Sequence, residues 1–132
     1  MRYLLDTNIC IYIINRRPPS VVEKIKGYSI NDIKLSAVSI GELEYGASKS
    51  NRREQNRQAL LHFASGFDIL PFTDTDAEVY GLIRAELERS GQVIGGYDMQ
   101  IAAQALSRNL VLVTNNTGEF SRIPHLQLEN WV

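Results

Sequence analysis

The chain has 132 residues, of which 44% are apolar and 22% charged, and its net charge is −1. That length suits one domain, residues 1–132, with room to bury a core, and the balance excludes disorder. The near-zero charge excludes a surface that is basic throughout, and no apolar run approaches the roughly 20 residues of a membrane span.

Residues 2–6 predict a first strand, which runs straight into the carboxylate of Asp6. Asp6 and Asn8 interrupt this apolar stretch and no small-residue cleavage site follows, so it does not read as a signal peptide. The expectation is a soluble cytoplasmic protein with no membrane partner. A short helix follows from about Asn8 to Asn15. Its lone Cys10, between Ile9 and Ile11, reads as a small buried hydrophobe. Arg16 and Arg17 follow, and Pro18-Pro19 breaks the chain. Ser20 is a suitable N-cap for a helix to Lys26, with Gly27 as its stop. KLSAVS (34–39) predicts a short buried strand leading into a helix, IGELEYGASK. Residues 51–66 predict a helix with Leu60, Leu61, Phe63 and Ala64 on its apolar side. FDILPF (67–72) is a third strand. TDTDAEVYGLIRAELERSG predicts a helix with a capping box at Thr75 and Glu78 and a stop at Gly91. Gly95-Gly96 opens another helix to about Asn109. LVLVT (110–114) is the clearest strand, and LQLENWV (126–132) supplies a last short one. Strands alternate with helices, and several are continuous apolar runs. That pattern implies an α/β class, a three-layer α/β/α sandwich around a mainly parallel sheet. In such sheets, ligands bind outside the carboxyl ends of the strands.

The acids fall where a strand ends or a following helix begins. Either Asp6 or Thr7 could cap the helix after the first strand, but Asn8 could as well, so capping does not require Asp6. Ser39-x-x-Glu42 fits a capping box. Glu42 also follows a strand's carboxyl end, and Gly46 removes bulk from the same helix face. Glu44 reads as solvated. Asp98 heads a face continued by Ile101, Ala102 and Ala105, and a carboxylate on a buried face is costly unless paired or bound to a cation. Asn116 and Glu119 follow the clearest strand, in a stretch that also reads as an Asn-rich turn. Crowded carboxylates repel one another, and a hard divalent cation relieves that repulsion. Oxygen donors without histidine favour Mg²⁺ or Mn²⁺ over Zn²⁺. His62 and His125 read as structural. Arg16–Arg17 and the group Arg52, Arg53 and Arg57 read as solvated faces, of interest only if a phosphodiester site lies nearby.

LLDTNICIYII, SAVSIGELEYGA, IGGYDMQIAAQAL, LVTNNTGEF and LENWV, in this order and spacing, resemble the PIN-domain ribonucleases, and within them the VapC-type toxins of bacterial toxin–antitoxin pairs. The resemblance implies Asp6, Glu42 and Asp98 as catalytic acids and metal ligands. Asn116 stands where the wider family often has Asp, and Glu119 is a further acidic position. Thr7 and Thr114 border the site, and capping falls to Thr7 and Asn8. It further implies a Mg²⁺- or Mn²⁺-dependent endoribonuclease that cuts structured RNA, with tRNA in the anticodon region favoured. A VapB-type antitoxin, a homodimer and a bacterial cytoplasmic setting come with it. Arg16, Arg17, Tyr45 and Tyr97 are candidate RNA contacts, since aromatics can hold unstacked bases. Two rivals stand beside this reading. One is a non-catalytic PIN-like module that binds RNA or protein. The other is a different metal-dependent phosphohydrolase; the haloacid-dehalogenase-like type wants an Asp where Asn8 stands. A nucleotide-binding Rossmann protein is disfavoured, since no G-x-G-x-x-G follows the first strand.

Overall fold

The computed structural model describes residues 1–132. Its strands are β1 (Tyr3–Leu5), β2 (Ile33–Ser36), β3 (Asp68–Leu70), β4 (Val111–Val113) and β5 (Leu128–Glu129). They form one sheet in the order β3-β2-β1-β4-β5, with every neighbouring pair parallel. The helices are α1 (Thr7–Asn15), α2 (Pro19–Lys26), α3 (Ala37–Lys49), α4 (Arg53–Ala64), α5 (Asp74–Arg89), α6 (Gly96–Ser107) and α7 (Thr117–Phe120).

Side chains alternate across the sheet, and this builds two cores. Leu4 and Leu112 face α5, α6 and α7, packing with Leu87, Ile101, Ala102 and Phe120. Leu5, Val113 and Leu35 face the other way, onto Ile9 and Cys10 of α1 and Val21 of α2. Both faces of β1 and β4 are therefore buried, which explains their unbroken apolar sequences. The result is the expected three-layer α/β/α sandwich. Trp131 closes the second core, stacked on Tyr28 with ring centroids 5.1 Å apart.

Several boundaries differ from expectation. α2 begins at Pro19 with Pro18 in the N-cap place, so Ser20 is inside the helix. Proline's fixed φ suits the first helical position, where its missing N–H costs nothing. β2 ends at Ser36 and α3 starts at Ala37, three residues earlier than Ile40. The Ser36 hydroxyl accepts the Val38 N–H at 3.0 Å, so the Ser39–Glu42 capping box does not form. The capping box of α5 is Thr73 with Asp76, not Thr75 with Glu78. Asp76 is buried and also accepts from Ser107 and Arg108, which selects that pair. Gly91 does close α5, at a φ of 70° that other residues adopt with strain. On α4, Leu60 is buried, whereas Leu61 is 42% exposed.

The sheet order reverses between β1 and β4, and at such a switch point neighbouring connections leave toward opposite faces. Leu5 pairs with Val113, so Asp6 and Thr114 come next at the two adjoining strand ends.

Candidate active site

Asp6 sits at the mouth of this switch point and is 4% exposed. Contrary to expectation, Asp6 itself is the N-cap of α1. Its Oδ1 accepts the Ile9 N–H at 2.8 Å, and Thr7 lies inside the helix rather than before it. Burial pushes the Asp6 carboxyl up. The Thr114 hydroxyl and the Ile9 N–H counter that, and the charge of Glu42 adds to it. Cap and site are thus one residue: the strand fixes where Asp6 lies, and the helix end fixes its rotamer.

Glu42 comes from the second turn of α3. Its Oε1 lies 2.7 Å from the Thr7 hydroxyl, which lies 2.9 Å from Ser39 Oγ. A carboxylate only accepts, so Thr7 donates to Glu42 and accepts from Ser39. Ser39, fully buried, is therefore the back of a relay that holds Glu42 in place rather than a helix cap.

Asp98 lies in the first turn of α6, half-buried, and its carboxylate has no hydrogen-bond donor. Burial pushes its carboxyl up to about 6, and the charges of Asp6, Glu42 and Glu119 push in the same direction. Four acids from four segments therefore share one electrostatic neighbourhood. Asn116 and Glu119 form its fourth corner, where the Asn116 amide donates to Glu119 Oε2 at 2.7 Å. The Asn116 N–H donates to Thr114 Oγ1 at 2.9 Å, which ties the corner to the β4 end.

Asp6, Glu42 and Asp98 open into one cleft of about 690 Å³. α1 supplies one wall, down to Asn15, and Leu43, Gly46 and Ala47 of α3 supply another. Asn56, Ala59 and Leu60 of α4 complete it; nothing in the sequence marks Asn56 or Ala59, and Leu60 reads only as apolar, because the packing of α4 is what brings them here. The donors fit a hard cation in kind: all are oxygens, Asp98 has no competing partner, and their like charges are unbalanced. No group of three His, Cys, Asp or Glu side chains closes on an ion-sized point, however. Glu42 is held toward Thr7 and Asp6 toward the α1 backbone, which keeps the carboxylates apart.

The remaining candidates divide. Tyr45 and Tyr97 are 67% and 59% exposed and line a neighbouring groove of about 590 Å³ that shares Glu42 with the cleft. Arg16 and Arg17 are exposed just past Asn15, at the opposite end of α1 from Asp6, and line neither cavity. His62 and His125 lie outside both. Cys10 is buried, and burial pushes its thiol up, out of the range of a nucleophile. Gln104 carries no signal in the sequence. It is fully buried, accepts from Ser36 and donates to the carbonyls of Leu70 and Pro71 at 3.2 Å, tying α6 to the ends of β2 and β3.

The PIN domain family matches residues 3–126 of the chain. Ribonuclease VapC2 of Rickettsia felis is 46% identical, over 99% of this chain and 98% of that protein. The tRNA(fMet)-specific endonuclease VapC of Shigella flexneri is 43% identical, over 99% and 98%. Among solved structures, VapBC2 from Rickettsia felis bound to a DNA fragment from its promoter superposes with a TM-score of 0.94 at 44% identity, covering 100% of each chain. DNA-bound VapBC from Salmonella typhimurium also gives 0.94, at 39% identity over 100% and 99% of the chains.

Proposed function

The chain belongs to the PIN-domain family, among the VapC ribonucleases, and from that premise we propose that it is an endoribonuclease toxin neutralised by a VapB-type antitoxin. One observation carries the reading beyond kinship. Asp6, Glu42 and Asp98, from three separate elements, open into one cleft at the sheet's switch point, and Asp98 has no structural partner there. A carboxylate left unpaired on a half-buried surface is explained by ligand binding rather than by the fold.

Asp6, Glu42 and Asp98 would hold Mg²⁺ or Mn²⁺, with Glu119 and the Asn116 oxygen at the edge. When bound, the cation supplies an activated water and offsets charge on the phosphate as it is attacked. The chain's own residues do the positioning. The α1 backbone fixes Asp6, the Thr7–Ser39 relay fixes Glu42, and Gly46 leaves the cleft wall low beside it. A Cβ on Gly46 would meet nothing within 4 Å, so the space above it is open to substrate.

The substrate we favour is tRNA, supported by relatives from Shigella flexneri and Salmonella typhimurium named for tRNA(fMet); a cut in the anticodon region is what the family resemblance implies. Tyr45 and Tyr97 offer exposed rings beside Glu42 for an unstacked base, and Arg16 and Arg17 offer cations beyond the α1 wall. The antitoxin would lie along the same cleft, and the toxin would act as a homodimer in the bacterial cytoplasm. The test is to incubate the purified chain with total RNA in Mn²⁺ or in EDTA and to map new 5′ ends. Discrete new ends in tRNA with Mn²⁺ and none with EDTA are expected. An unchanged end profile in Mn²⁺ would refute the proposal.

A further inference from the structure

The acid cleft poses an electrostatic problem for a ribonuclease. RNA is a polyanion, and carboxylates at the scissile site repel the phosphates around it. The net charge of −1 offers no general attraction, so a local source is needed. Many basic side chains are already engaged: Lys26, Lys34, Arg84, Arg89 and Arg108 each lie within 3.3 Å of a carboxylate. Arg52 and Arg53 pair with none; Arg16 and Arg17 are unpaired too, but they line no cavity beside the acids.

These two arginines lie with Arg57, and with one carboxylate, Glu54, in a concavity of about 820 Å³ built from the end of α3, the connecting turn and the start of α4, so cations outnumber acids there three to one. Ala47 lines both this concavity and the acid cleft, so the two adjoin at that residue. Along α3, Glu42 and Ala47 are separated by about 7.5 Å of helix rise, a short step for an RNA strand. Fold stability does not explain the arginines. Arg52 is the N-cap of α4 without a side-chain cap bond, and Arg53 is the first helical residue. Both therefore stand at the positive end of the helix dipole, where cations are unfavourable. Arg57 differs, since its guanidinium reaches Glu44 at 3.1 and 3.5 Å and is held on the wall.

We propose that Arg52 and Arg53 form a phosphate-binding subsite for RNA that adjoins the acid cleft and draws the strand across it. The proposal rests on the ribonuclease reading. Guanidinium groups suit the role because their planar fork meets phosphate oxygens in pairs. Like charges packed in one turn become favourable when a phosphate backbone lies between them.

The test compares the full chain with R52A/R53A and R52K/R53K. Binding of fluorescein-labelled total tRNA is followed by anisotropy in EDTA at several KCl concentrations, and cleavage of unlabelled tRNA is followed in Mn²⁺. For R52A/R53A, Kd and KM rise about tenfold or more, with kcat unchanged within about twofold. The slope of log affinity against log salt falls by about 2, one for each phosphate that the arginines neutralise. R52K/R53K keeps the salt slope. R52A/R53A does not lower the melting temperature, which separates this role from a structural one. Unchanged KM and salt slope in R52A/R53A would overturn the subsite while leaving the ribonuclease reading intact. Binding of a purified VapB-type partner is measured in parallel, and a loss confined to that binding would likewise overturn the subsite and assign the arginines to a protein interface. Failure of the unmodified chain to bind or cut tRNA would overturn both.

Discussion

Asp98 bears the electrostatic cost of the cleft. Its carboxyl is pushed up to about 6 by burial and by Asp6, Glu42 and Glu119, against 3.8 for an ordinary aspartate. The folded chain thus holds this proton more tightly than the unfolded chain does. The stability linked to protonated Asp98 is full below about pH 4 and is lost as the pH rises through about 6. Asp98→Asn removes the ionised form. In EDTA above pH 7 it should stabilise the fold by on the order of 1 kcal/mol, allowing for solvent screening of a partly exposed group. It should also flatten the stability profile between about pH 4 and 6 and abolish RNA cleavage. Melting curves across pH, with a cleavage assay alongside, check all three. A variant that melts earlier than the parent at pH 7.5 would show Asp98 to be a structural residue. Asp6 calls for a different substitution, because it serves both the fold and the site. Asp6→Ala loses the cap on Ile9 as well as the carboxylate, and should cost about 1 kcal/mol. Asp6→Asn keeps a good cap and removes a charge that burial and Glu42 disfavour, so it should melt no earlier than the parent and lose cleavage. Cleavage retained in Asp6→Asn would contradict the role given to its charge.

Among the elements, α3 and α5 show how local rules and packing compete. Gly46 sits inside α3, faces the cleft, and has open space where a Cβ would stand. Gly46→Ala should stabilise the fold by about 0.5–1 kcal/mol, the ordinary gain inside a helix. Gly46→Leu should keep the fold and fill the cleft, reducing cleavage at least tenfold; full activity in Gly46→Leu would mean that substrate does not pass over α3. On α5, Asp76 joins the capping box to Ser107 and Arg108 across to α6. Burial pushes its carboxyl up, but the Ser107 hydroxyl, the Thr73 N–H and Arg108 together hold it below the usual range. Its stabilising contribution is present above that range and is lost as the pH falls below it, through the lowered value. Asp76→Ala should cost about 3 kcal/mol, because Arg108 is left half-buried without its partner, and urea unfolding would measure it. This pair also marks what the sequence could reveal. The alternation of elements, the buried strands and the stop at Gly91 followed from composition and periodicity, which act locally. Asp6 and Asp98 were legible as candidates because each is an acid at a strand end or helix start, where a parallel sheet gathers them; Glu42 was marked by a supposed helix start that lies earlier, at Ala37, and it reaches the cleft from the second turn of α3. The choice between Thr73–Asp76 and Thr75–Glu78 was not legible, since packing against α6 decides it. Ser39 read as a cap for the same reason: nothing local shows that Thr7, more than thirty residues away in sequence, takes its hydrogen bond.

Across the whole molecule, the sheet brings unlike segments to one edge, and the cleft it makes is charged before anything binds. The carboxylates stay apart, with no three closing on one point, so a divalent cation would have to draw them together. That rearrangement is small, because Asp98 has no hydrogen bond to break and Glu42 need only turn from Thr7. Binding to the folded chain alone raises stability by RT ln(1 + [L]/Kd), about 2.7 kcal/mol when the cation stands at a hundredfold over its Kd. Millimolar Mn²⁺ or Mg²⁺ should therefore raise the melting temperature by several degrees, and the gain should be smaller below about pH 6, where Asp98 holds its proton. Ca²⁺, also a hard cation, should raise it as well. Both Asp6→Asn and Asp98→Asn should lose most of the shift. General ionic strength makes a different prediction, because KCl at matched ionic strength would then give the same gain and the variants would keep it. A metal-induced shift that survives both substitutions would move the cation out of this cleft, and with it the reason for gathering acids at the switch point.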